Sequence, residues 1–493
     1  MNDYYDKKAF YKYTIGLFAI MAALYASKGV AFCVLGPILL MLGMRNPINL
    51  LYYLMMAIAM MMCNGHLVPK TLPFALTQRA LMFVVAFALA TQIFGRRRSA
   101  LVTPLWGIMV YLVYMILPSA LGWNITISGL KLILFTAVFC AYFGVANRII
   151  LNPGVRGSQV RSVFLAFCSF FIFGSMALIP FPGISLMNPY DLTAAQLAEI
   201  VSLFMGMTLH SQALGPIVTI LAVALFADLV FSVRRFDKLY VLLLLCAPVL
   251  VYKTASRTAM GGLFIGLAFV VFVLMQARGV SRVWRSRIVG IGIGIVAIGL
   301  LMAAFTPVIR QRIVQFVIKF DKNAQSSDVT FENVTSTRIG RVQESLWGFR
   351  QSPAIGNGFQ VSYEYKGQRL PVSKLLSAPV EKGVWVTAVL EEGGVIGLII
   401  FGGFVLAAAS LLWKRQAYTT LCTFVTMLVL NLGEMTVFSM SSVGGLTWAV
   451  VFIGAMLDGH RLKFKSVAPP PMELGPMRDA DLYVSRQQLA LGR

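Results

Sequence analysis

LGPIVTILAVALFADLVFSV, residues 214–233, and VIGLIIFGGFVLAAASLLW, residues 395–413, decide the fold of this chain. Each is an apolar block long enough to cross roughly 30 Å of hydrocarbon, which takes ~20 helical residues. Met260–Met275 and Val289–Ala304 read the same way. Backbone amides have no water to bond in lipid, so such a block must satisfy itself as a helix. A barrel strand is shorter and alternates apolar with polar residues, and these blocks do not alternate. The remainder of the chain agrees. Of 493 residues, 58% are hydrophobic and 12% charged, and mean hydropathy is +0.78. A soluble domain is about a quarter charged. The sequence therefore describes an all-α polytopic integral membrane protein.

Working outward from these blocks gives about fourteen transmembrane helices, about eleven within residues 1–306 and about three within 386–458. The net charge of +23 and pI near 10.0 would suggest nucleic acid in a soluble protein. Here the basic residues sit in short loops, and no Asp or Glu occurs between Asp6 and Asp191. That is a positive-inside pattern, with the surplus available to anionic lipid head groups, a pyrophosphate among them. Arg96–Arg98, Arg148/Arg156/Arg161, Arg234/Arg235/Lys238 and Lys414/Arg415 are expected in the cytoplasm with both termini. Two loops are then expected on the trans side: 181–213, and a large one at 307–385. Within the first, Asp191-Leu192-Thr193 caps an expected helix over 194–207, read as an interfacial lid or as a structural re-entrant segment. Residues 459–493, with Ala468-Pro469-Pro470-Pro471, read as a disordered tail. The polar N-terminal stretch reads as belonging to a retained first helix, not a cleaved signal. The six cysteines fall in apolar segments, and three scattered histidines offer no metal-ligand spacing.

A transporter would place ionisable groups near the bilayer midplane, whereas here Arg79, Lys131, Lys253, Arg257 and Glu434 gather at the trans ends of helices. Three segments stand out. Lys253-Thr254-Ala255-Ser256-Arg257-Thr258 is a tight trans turn whose arginine fork suits bidentate phosphate binding; a snorkelling interfacial arginine explains it equally. Val334–Phe349 forms an amphipathic helix with Arg338 and Arg341 three apart on one face, followed by the turn-forming Ser352-Pro353-Ala354-Ile355-Gly356-Asn357-Gly358-Phe359. Ser377–Gly383 carries Glu381 and Lys382 into the helix of Leu390-Glu391-Glu392-Gly393-Gly394, where a carboxylate beside a lysine is a general base or an ion pair.

Taken in order, these segments resemble the O-antigen ligase / O-antigen and exopolysaccharide polymerase superfamily over about residues 160–458. The matching pieces are Ser256-Arg257, the Arg338/Arg341/Trp347 helix, the turn of Pro353, Gly356, Gly358 and Phe359, and Leu390/Glu392/Gly394/Gly397. His210–Gly215 and Asn431-Leu432-Gly433-Glu434 extend the likeness. The resemblance implies a GT-C-like fold and transfer of a glycan from undecaprenyl pyrophosphate to a hydroxyl at the periplasmic face of the bacterial inner membrane. It implies neither metal nor nucleotide sugar, and membrane lipid, a chain-length regulator and export machinery as associates. Arg257, Arg338 and Arg341, with Lys382 and His210, are then the pyrophosphate-binding set. Glu381 is the candidate base, Glu392 a helix cap, and Glu434 and Lys253 acceptor-side or structural residues. The ligases carry a His-Asn motif about eleven residues before the helix glycine. This chain has Glu381-Lys382-Gly383 there, which favours a polymerase over a ligase. A flippase of lipid-linked glycan is the rival from another class; it has no need of arginines in a long outer loop.

Overall fold

The computed structural model describes residues 4–90, 94–95, 98–186, 204–277, 280–292, 331–363, 366, 382–433, 437–439 and 443–467. Side chains of 331–338 and 463–467 fall outside that description. The described residues are helical, with two isolated β-bridges and no strand. Among the described residues, eight helices are long and apolar enough to cross a membrane: α1 (Lys7–Ala26), α5 (Thr103–Leu121, broken at Gly107 and Met115), α6 (Ile125–Leu151), α7 (Gly157–Ala177), α8 (Ser211–Val233), α10 (Arg257–Gln276), α12 (Trp385–Lys414) and α14 (Val443–Val467). Shorter apolar helices are α2 (Phe32–Arg45), α3 (Pro47–Met62), α4 (Leu72–Ala88) and α13 (Tyr418–Leu430). Further helices are α9 (Lys238–Lys253) and α11 (Phe331–Gln351), with a single turn at Pro182–Ser185 and helical residues at 282–292.

A helix apolar on every side belongs at the centre of a membrane bundle. α8 and α14 are such helices, and both are almost wholly buried. α8 packs on α9, α10, α13 and α14; α6 packs on α4 and α14, and α7 on α1. Outer helices turn Ile15, Met41, Phe87, Phe264, Ile399 and Leu406 outward. In water that apolar surface would be a liability; in lipid it is the solvated face.

Polar pins tie the bundle at the end where α8 finishes. Asp228, fully buried, takes a two-pronged contact from Arg161 (2.9 and 3.2 Å) and a hydroxyl from Tyr240 at 2.6 Å. Asp458 pairs with Arg461 at 3.1 Å and accepts from the Thr420 amide and hydroxyl. The second pin corrects the expected tail. Because Arg461 is held by Asp458 and lies over the Tyr418 ring, α14 continues through Val467 instead of ending near 458. The rest of the tail lies outside the described residues.

α13 also departs from expectation, ending at Leu430 and not near 437. The Asn431 side chain donates to Met427 O (2.7 Å) and accepts from the Val437 amide (2.7 Å), folding the chain back on itself. Of the loop expected on the trans side at 181–213, 187–203 lies outside the described residues, including most of the expected 194–207 helix. Its last part is not helical: Phe204 bridges Leu186 and Thr208 bridges Cys63. Asn64 fastens this crossing by donating to Ile184 O and Gly206 O. The helix expected at 288–306 is seen only through residue 292.

Candidate functional site

At the opposite end of the bundle, α12 is two helices joined through a break. Gly394 has φ 64° and ψ −166° within it. A break in a membrane helix leaves backbone groups that must find partners, and here the 353–358 turn supplies them. Asn357 and Gly358 amides donate to Glu391 O and Glu392 O, each at 3.0 Å. Val395 and Ile396 amides donate to Pro353 O (2.9 Å) and Ala354 O (3.3 Å). Tyr114 covers the remaining carbonyl, donating to Gly393 O at 2.7 Å. The two backbones touch, which fixes the glycines. A Cβ at Gly394 would sit 2.2 Å from Ala354 O, and one at Gly356 2.3 Å from Glu392 O. Both residues have positive φ, open to glycine without strain.

The short arm of α12 carries a buried charge cluster. Lys382 Nζ is 3.0 Å from Glu392 Oε1 and 3.2 Å from Glu391 Oε2. All three are at least 90% buried. Burial alone would lower the Lys382 pKa; the two carboxylates outweigh it and hold the ammonium above its ordinary value. Lys131 of α6, also buried, points its ammonium at Gln360 O (3.4 Å) and lies within range of the Glu392 charge. Gln360 has φ 53° and its side-chain amide donates to Phe438 O. Two lysines thus face two carboxylates, a charge-balanced set as burial demands. Glu392 Oε2 and the Tyr111 hydroxyl are buried with no hydrogen-bond partner among the described residues.

Beside this cluster, α8 and α10 begin. The 253–256 turn is tight, as its sequence implies: Ala255 has φ 52°, and Ser256 caps α10 by accepting from the Ala259 amide at 3.2 Å. Arg257 follows as the first residue of α10, partly exposed, at the positive end of the helix dipole. His210 caps α8, its Nδ1 accepting from the Gln212 amide at 3.1 Å. Gly215 lies against the turn so closely that a Cβ there would meet Thr254 Oγ1 at 2.9 Å. Gly433 presses on Thr258 from the end of α13. The Trp385 amide then donates to Asn431 O at 3.0 Å, joining this group to the α12 arm.

The structure therefore gathers His210, Lys253, Ser256-Arg257, the 353–358 turn, Lys382 and Glu392 at one end of the bundle. Two expected roles change. Glu392 sits just before the α12 break with its carboxylate on Lys382, and not on a helix amide among the described residues. Lys382 in turn is committed to carboxylates, leaving its charge neutralised instead of offered to phosphate. Arg341 pairs at the surface with Glu344 at 3.0 Å. Arg338 lies on α11 with its side chain outside the described residues, as Glu381 and Glu434 lie wholly. The sequence placed Lys131 at a helix end but assigned no role to it, to Glu391, to Tyr114 or to Gln360. A lone lysine in the apolar stretch of α6 was the available signal. Compared with known proteins, the chain matches no protein-family model and no curated protein.

Proposed function

We propose that this chain is a GT-C-like membrane polymerase that lengthens a glycan carried on undecaprenyl pyrophosphate, acting at the periplasmic face of a bacterial inner membrane. What carries the reading is the convergence of segments far apart in sequence: Ser256-Arg257, His210–Gly215, Asn431–Gly433, the 353–358 turn and the Lys382–Glu392 arm meet at one end. In this reading about fourteen membrane segments surround the site and 307–385 lies over it.

The growing chain is the donor. A hydroxyl of the incoming unit attacks its anomeric carbon, the bond from that carbon to the phosphate oxygen breaks, and the carrier pyrophosphate leaves with the electron pair. The departing charge calls for fixed cations. Arg257 supplies one at the amino end of α10, where the helix dipole also favours an anion; Arg338, Arg341 and His210 complete the set. Glu381, next to the anchored Lys382, accepts the hydroxyl proton. No step draws on a metal or nucleotide sugar.

Purified protein is given an undecaprenyl-pyrophosphate-linked repeat unit as sole substrate, and products are resolved by length. A ladder of multiples is expected, and Arg257→Ala should lower its rate by about a hundredfold or more while the protein stays folded. Transfer only after a lipid or protein acceptor is added would identify a ligase; transport into sealed vesicles without lengthening would identify a flippase.

A further inference from the structure

Three aromatic rings close on one another beside the α12 arm, contributed by segments distant in sequence. Trp123 lies between α5 and α6, Trp347 on α11, and Tyr363 after the 353–358 turn. The Tyr363 ring centroid is 4.6 Å from that of Trp347 and 5.5 Å from that of Trp123, at interplanar angles of 82° and 78°. Edge-to-face packing of this kind is favourable, yet the rings are not sunk in the core. Trp347 is 43% exposed and Tyr363 50% exposed.

The patch is tied to the buried carboxylates. Gly348, next to Trp347, packs so that a Cβ there would lie 2.9 Å from Glu391 Oε1 and 3.0 Å from Trp123 Cη2. The Trp123 amide donates to Asn357 O at 3.0 Å, and the Asn357 side chain donates to Gly348 O at 2.8 Å. The rings are therefore preorganised by the turn that closes the α12 break, which spares a ligand the cost of ordering them. Their surroundings are polar: the Lys366 ammonium stands 5.6 Å over the Tyr363 ring, and Arg350 is exposed on α11.

A ligand for this surface needs weakly positive C–H faces to lie on negative π faces, and hydroxyls at its rim for the indole N–H, the phenol and the nearby cations. A pyranose ring has both. Interfacial anchoring is the competing use of exposed tryptophan, but anchors stand apart on separate helices and turn to lipid, whereas these rings turn to each other. We propose that Trp123, Trp347 and Tyr363 form a platform that holds sugar rings of the glycan next to the α12 arm. This rests on the glycan-transfer reading for its ligand class.

Saturation-transfer NMR on the full-length protein in detergent, with defined hexasaccharides of gluco, galacto, manno and N-acetylglucosamine type, tests it. At least one series should bind. Trp347→Ala and Tyr363→Ala should each lower affinity about tenfold, while Trp347→Phe keeps most of it. Retention by the phenylalanine variant separates stacking from misfolding. The platform falls if no hexasaccharide binds, or if the alanine variants bind as the parent does. It falls too if brominated acyl chains quench the emission that Trp347→Phe removes, which would mark a bilayer anchor. Ring-dependent binding without any glycan transfer leaves the platform standing and removes the catalytic proposal; transfer with ring-independent binding does the reverse.

Discussion

Lys382 meets carboxylates where its sequence context led to an expectation of phosphate. Its position beside Glu381 suggested a phosphate ligand, yet the ammonium lies between Glu391 and Glu392. Removing one partner of a buried ionic set leaves uncompensated charge, at a cost of ~3–5 kcal/mol. Lys382→Met should therefore lower the thermal unfolding midpoint sharply, measured on the detergent-solubilised protein. The pH dependence follows from the raised lysine pKa. A group whose folded pKa exceeds its unfolded value contributes fully below the unfolded value, ~10.4 for lysine, and loses that contribution as pH climbs through the folded one. The gap between parent and Lys382→Met should thus persist through mildly alkaline pH and close only in strongly alkaline buffer. None of this pairing was legible in the sequence: Lys382 and Glu392 are ten positions apart, at the two ends of the short α12 arm, and meet only in the fold.

At the scale of elements, apolar block length placed the helices well, because burial in lipid imposes it. It misplaced the ends wherever a side chain intervened: His210 starts α8 earlier, Asn431 stops α13 sooner, and Arg461 prolongs α14. The break in α12 was invisible for a different reason. Gly393-Gly394 is compatible with a continuous helix, and what divides it is the 353–358 turn some forty residues earlier in the chain. Gly394→Ala tests that interlock. The added methyl would lie 2.2 Å from Ala354 O at a φ of 64°, strain of ~1–3 kcal/mol from the backbone alone. The variant should accumulate poorly and lose hydrogen-exchange protection at residues 353–358. Protection equal to the parent's would mean that the two backbones are not held together as described.

For the whole molecule, the sequence yielded the membrane class, whereas Arg79, expected at a helix end, lies in the middle of α4. The sequence also supplied the order of motifs that the structure brings into one region. The aromatic patch escaped it, since Trp123, Trp347 and Tyr363 share no motif and meet only through folding. Which end faces which compartment is a prediction from the basic loops. Gly340→Cys, on exposed α11 with open space around it, and Lys414→Cys, at the far end of α12, report on the two faces. In a background without the six native cysteines, an impermeant maleimide should label position 340 in intact spheroplasts, and position 414 only after lysis. The opposite pattern would invert the orientation and remove the periplasmic assignment.

The interlocked break also bears on how the protein is made. The turn at 353–358 leaves the ribosome before α12, so the groups that will satisfy the broken helix exist when that helix reaches the insertion machinery. Were the order of these segments exchanged, α12 would enter lipid with its Gly394 amides and carbonyls unmet, and a straight, uninterrupted helix would be the cheaper outcome. The vectorial order of synthesis thus favours the divided form, and a permuted gene that places 385–467 ahead of 331–363 would be expected to yield a chain inserted in the membrane but wrongly folded at this one point.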